Sequence, residues 1–150
     1  MDSNELRQVG ISINNILTRY IQIHDAIFKF SLKKILPLPF VFKKIDFENL
    51  FLDTKDLLGE LTEIKLKLSE SNLLDIKNQK FYNTIIPYVE NFRQILQLLS
   101  YIALSLSKKI NDPKSYQFSE YQKSITEYNK LRVLHNKMGQ FLNIIIDKIT

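Results

Sequence analysis

From Leu6 to Phe30 the apolar residues of this chain recur at three- and four-residue steps without a break: Leu6, Val9, Ile13, Ile16, Tyr20, Ile23, Ile27, Phe30. Steps of three and four average about 3.5 residues, close to the helical repeat, so all these side chains share one seam. A strand would need a period of two. The pattern returns as Phe47, Leu50, Thr54, Leu57, Leu61, Ile64, Leu68, and again as Phe81, Ile85, Tyr88, Phe92, Ile95, Leu99, Ile102, Leu106. A fourth seam runs Phe118, Tyr121, Ile125, Tyr128, Leu131, His135, Met138, Leu142, Ile145, Ile149, with two threes together at Ile125–Tyr128–Leu131. Four long seams predict an all-α fold, an antiparallel (up-down-up-down) four-helix bundle, as a single domain over residues 1–150. With 3 Gly and 4 Pro the chain lacks the turn residues that a β-sandwich or barrel needs.

Capping residues place the boundaries. Helix one should start after Asp2, with Glu5 as a capping-box partner, and end before Pro37. Helix two should begin near Asp46, a good amino-terminal cap, and break at Ser71-Asn72. Residues 73–83 read either as a loop or as one or two helical turns. Pro87 then allows two arrangements, a start near Thr84 or a longer helix that kinks. Asn111-Asp112-Pro113 stops helix three, with Pro113 suited to a first helical position and Ser119–Gln122 offering a second cap. Gly59 should face outward.

The stretch from Ala26 to Ile45 departs from the pattern. It holds five lysines, interleaved apolar clusters and no acid, and its Leu36-Pro37-Leu38-Pro39-Phe40 centre excludes helix. The residues singled out as a contact surface are Phe28, Lys29, Leu32, Lys33, Lys34, Phe40, Phe42, Lys43 and Lys44. They can cap the core, dock a protein partner or twin subunit, or meet an anionic surface, either membrane or nucleic acid. Helices one and three also carry apolar residues beyond one seam: Ile21, Phe28 and Leu32, then Val89, Leu96, Ala103 and Leu104. A lone bundle needs one apolar face per helix. Helix three, apolar most of the way round, should be the most buried. The surplus must face a partner, a twin subunit or the long loop folded over it, which predicts a non-enzymatic interaction or regulatory protein acting through protein–protein contacts, and self-associating as a homo-oligomer.

The formal charge is +5 with a pI near 9.3, yet residues 46–75 carry a net −5. That acidic strip is expected to match its neighbours electrostatically. The basic surplus keeps a nucleic-acid-binding bundle as the alternative. The polar, acidic start lacks a signal-peptide pattern, and the longest uncharged run, Gln94 to Ser107, is too short to span a bilayer. Together with the absence of cysteine this predicts a soluble, cytoplasmic protein.

Enzymatic signals are few. There is no phosphate-binding glycine loop, nucleophile elbow or zinc-protease motif, and no cofactor or metal is expected. If helices one and four run antiparallel, Tyr20 and His24 fall near Leu131 and His135, with Asp25 and Glu90 nearby, and a buried His–Tyr contact follows. Arg19 and His24 stand in an Arg-x4-His spacing that resembles the motif of HEPN-type ribonucleases, which are helical bundles of similar size. The resemblance covers six residues and lies on the first helix, whereas that family carries its motif late in the bundle. It implies RNA cleavage by an Arg and a His on one helical face, usually across a dimer.

Overall fold

Four α-helices follow one another in a computed structural model that describes residues 1, 3–33, 45–72, 78–112 and 114–146; the side chains of residues 3, 29–33, 72, 145 and 146 fall outside it. They are α1 (Ser3–Lys33), α2 (Phe47–Asn72), α3 (Gln79–Asn111) and α4 (Phe118–Ile146). Asp46 caps α2 as its sequence position implies, accepting a hydrogen bond from the Asn49 backbone N–H at 3.0 Å. The α3 helix starts at Gln79, two turns before Pro87, and runs through the proline unbroken. The α4 helix does not begin near Pro113, which lies outside the described residues. Its start is set by Gln117, whose N–H donates to the Glu120 carboxylate at 3.0 Å, so Ser119 sits inside the first turn. The end of α4 expected near Ile149 lies outside the described residues.

Ion pairs and ring contacts fix the directions. Lys65 and Thr62 of α2 meet Glu90 and Arg93 of α3, and Tyr88 and Phe92 of α3 lie against Gly139 and His135 of α4. Rising numbers on one helix match falling numbers on the next, so neighbours run antiparallel. Arg19 of α1 reaches Glu60 of α2 at 2.6 Å. The bundle is up-down-up-down, as the seams predict.

The seams are the core. Val9, Ile13, Ile16, Tyr20, Ile23 and Ile27 are buried on α1, Leu57, Leu61, Ile64 and Leu68 on α2, and Phe81 through Ile102 on α3. Helix α3 is central: it packs on α2, on α4 and, more narrowly, on α1. That position absorbs its apolar surplus, since Val89, Leu96 and Ala103 are fully buried within one copy and Leu104 is half-buried. Among the described apolar and histidine positions of the α4 seam only every seventh, Tyr128, His135 and Leu142, is buried. The cause is geometric. Among the described residues no Cα of α1 lies within 8 Å of one in α4, whereas each pair of sequence-adjacent helices comes closer.

Charge matching between α2 and its neighbours is partial. Glu60 pairs with Arg19, but the tighter network has its acid on α3: Glu90 accepts from Lys65 at 2.6 Å and from Arg93 at 2.7 Å. The Lys65 ammonium, more than any other group, holds the Glu90 carboxyl below its ordinary range. None of the four helices, over the described residues, is long and apolar enough to cross a membrane.

Candidate functional site

At mid-height α1 and α4 meet through aromatic side chains. Tyr20 and His24 lie four residues apart, hence on one face, and both reach Tyr128. The Tyr20 and Tyr128 hydroxyls are 2.8 Å apart, and Tyr128 Oη is 2.8 Å from His24 Nδ1. A single hydroxyl proton lets the chain run either way: Tyr20 to Tyr128 to an unprotonated Nδ1, or His24 Nδ1–H to Tyr128 to Tyr20. Burial raises both phenol pKa values, so both stay neutral hydroxyls. The Arg132 guanidinium lies 5.7 Å from the centre of the Tyr128 ring, a cation–π distance. Tyr128→Phe removes the hydroxyl that Tyr20 and His24 share and should cost about 2 kcal/mol, while Tyr20→Phe should cost about 1. The double variant should lose about 1 kcal/mol less than the sum, measured by urea denaturation; strict additivity would mean that the two hydroxyls do not interact.

Below this contact, toward the start of α1 and the end of α4, the two backbones stay apart and leave a groove of about 1180 Å³. Phe81, Ile85 and Tyr88 of α3 form its floor. Leu6, Gly10, Ile13 and Leu17 form the α1 wall, and His135, Gly139 and Leu142 the α4 wall. The α1 rim is mixed, with Asn4, Arg7 and Asn14 beside exposed Ile11 and Ile21; the α4 rim is polar, with Arg132, Asn136, Gln140 and Asn143. No carboxylate lines it among the described residues.

His135 belongs to the floor side of the α4 wall. It is 6% exposed, stacks on Tyr88 with ring centres 4.3 Å apart, and tilts against Phe92 at 4.8 Å. Neither ring nitrogen has a hydrogen-bond partner. Burial pushes its pKa down to about 4, so the imidazole is neutral at physiological pH. Burial likewise pushes Tyr88 up to about 12. The groove can therefore offer apolar surface, amide hydrogen bonds, two permanent cations and a neutral imidazole. Among the described residues no cluster of His, Asp and Glu is placed to hold a metal ion.

The expected histidine–tyrosine contact exists, at Tyr128 rather than beside His135, while Glu90 turns to α2. Arg19 and His24 are not brought together. Five residues turn a helix through about 500°, so the two point about 140° apart: Arg19 to Glu60 on α2, His24 to Tyr128 on α4. Of the basic-apolar stretch, Phe28 is half-buried, its ring 4.8 Å from His24 and 5.3 Å from Tyr128. The side chains of Lys29, Leu32 and Lys33 lie outside the described residues, as do Lys34, Phe40, Phe42, Lys43 and Lys44 entirely.

Sequence reasoning missed the groove. Its trace was present: Arg7, Gly10, Asn14, Leu17 and Ile21 recur at helical steps beside one seam, and Arg132, Asn136, Gly139 and Asn143 beside another. Gly59, by contrast, is exposed with nothing within 4 Å of where a Cβ would stand, and the same is true of Gly10. Both should accept alanine with a gain of about 0.5–1 kcal/mol each, seen as a higher urea midpoint; a loss at Gly10 would mean the groove is closed. No protein-family model, no curated protein and no solved structure matches this chain.

Proposed function

We propose that this is a non-enzymatic interaction or regulatory protein that works through protein–protein contacts, taking a helix of its partner into the groove between α1 and α4. One observation carries the reading. Two of the four helices keep their backbones apart where a closed bundle would have them packed, over apolar side chains that their neighbours largely cover. Such a gap is a helix-in-groove site by shape, with the i, i+3, i+4 anchors of an amphipathic segment as its complement. The α1 wall from Asn4 to Ile21 is about 26 Å long, enough for roughly 18 residues of helix. The absence of cysteine suits action in the reducing cytoplasm.

Self-association through this groove is a narrower version of the same reading. The covered flank of α3 no longer supports it, but exposed Ile21 on the groove rim does, at 48% accessible.

The chain has no tryptophan, so a peptide carrying one reports its own binding. An 18-residue amphipathic peptide, leucine on one face and glutamine and serine on the other, should bind saturably with a blue-shifted emission. Gly10→Leu should weaken it at least tenfold and Gly59→Leu should not. No saturable binding, or equal binding by both variants, would remove the groove as the working surface. Sedimentation equilibrium on the protein alone decides self-association: a strict monomer at high concentration removes the twin.

A further inference from the structure

Resting on the groove as the working surface, we infer that its occupant is an acidic amphipathic helix of a partner protein, crossing at its closest approach between Gly10 and Gly139. Three observations carry this.

The first is charge. Arg7 stands on one rim and Arg132 on the other, with no carboxylate among the described lining residues. An occupant flanked by Asp or Glu meets opposite charge on both sides.

The second is the distribution of polar groups. A fatty acid or lipid has one head and needs its polar contacts at one end. Here polar groups stand at several levels, Asn4 and Asn14 on the α1 rim among exposed Ile11 and Ile21, and Asn136, Gln140 and Asn143 on the α4 rim. Polar residues at each turn of a helix, on both flanks of its apolar stripe, match that spacing.

The third is the pair of glycines. Tyr20 and Tyr128 are level, since their hydroxyls touch. Ten residues down α1 is Gly10, and eleven along antiparallel α4 is Gly139, so the two stand within about one residue of the same height. They are two of only three glycines in the chain. A Cβ at Gly10 would meet nothing within 4 Å, and one at Gly139 only the Tyr88 ring edge at 3.5 Å. Interior helical glycine is unfavourable, and packing inside this chain does not require it at Gly10. Walls stripped of side chains admit a third backbone. His135, buried with both nitrogens unpartnered, lines the groove on the same wall, one turn from Gly139.

The test compares three peptides with one leucine face and one tryptophan, whose polar faces are glutamine, glutamate or lysine. Tryptophan fluorescence at low salt should place the glutamate peptide about tenfold tighter than the glutamine peptide, with the lysine peptide weakest. Arg7→Gln combined with Arg132→Gln should abolish that order while the glutamine peptide still binds. If the glutamine peptide binds and glutamate brings no advantage, the charge inference is overturned and the groove stands. If no peptide binds, the groove reading itself fails. Dodecanoate displacing the bound peptide at a stoichiometry of one, with higher affinity, would assign the site to lipid and overturn the inference as well.

Discussion

Replacing Phe92 by alanine should destabilise the protein by about 3–5 kcal/mol, the largest single effect expected in this chain. Phe92 is wholly buried on α3, and its ring does two jobs. Its neighbour on α1 is Tyr20, edge-on with centres 5.4 Å apart and planes at 81°; its neighbour on α4 is His135 at 4.8 Å. Because α1 and α4 do not pack backbone to backbone, this ring and the Tyr20–Tyr128–His24 contacts carry much of the coupling between them. Truncation leaves a cavity at the junction of three helices, where collapse is resisted by aromatic rings on two sides. Domains of this size have only about 5–15 kcal/mol in total, so the variant should approach marginal stability. Urea denaturation measures the change; a loss under 1 kcal/mol would show that Phe92 does not join the two outer helices.

The second large effect is a pH dependence set by His135. Its ordinary pKa of 6.5 applies in the unfolded chain, and burial lowers it to about 4 in the folded one. The folded state therefore binds fewer protons in that window. Stability from this group is complete above pH 6.5 and is lost as pH falls toward about 4. By linkage the loss is about 2 kcal/mol at pH 5 and about 3 kcal/mol once both states are protonated. His135→Phe keeps a planar ring against Tyr88 and removes two buried nitrogens that lack partners. It should be at least as stable as the wild type at pH 7.5 and should lose about 2 kcal/mol less than the wild type between pH 7.5 and 5. Parallel losses in the two proteins would show that His135 is solvated or partnered.

Much of the bundle was legible because a seam is a local property. Ile13, Leu61, Phe92 and Tyr128 recur at helical steps whatever they pack against, and all four are buried. Capping was legible where one side chain decides it, as at Asp46, and misplaced at the start of α4, where Glu120 reaching back to Gln117 fixes the boundary instead of Pro113. In the sequence the surplus apolar flank of α3 reads both as the mark of the most buried helix and as a face for a partner. It is a core, because a central helix needs three apolar faces, and centrality depends on contacts between distant parts of the chain. The groove was hidden for the related reason that Leu6, Leu17 and Ile85 keep the same spacing whether they face a helix or a gap. Only the residue types beside the seams, glycine, arginine and carboxamide without acid, distinguish the two, and their meaning emerges once α1 and α4 are seen opposite each other.

The most direct test is a methyl-resolved NMR titration of the folded protein with the glutamate-faced peptide. Shifts are expected at Ile13, Leu17, Ile85 and Leu142, which line the groove, with Leu57 and Leu61 on the far side of α3 unmoved. Shifts confined to surfaces away from α1 and α4, or none at saturating peptide, would contradict a helix-accepting groove.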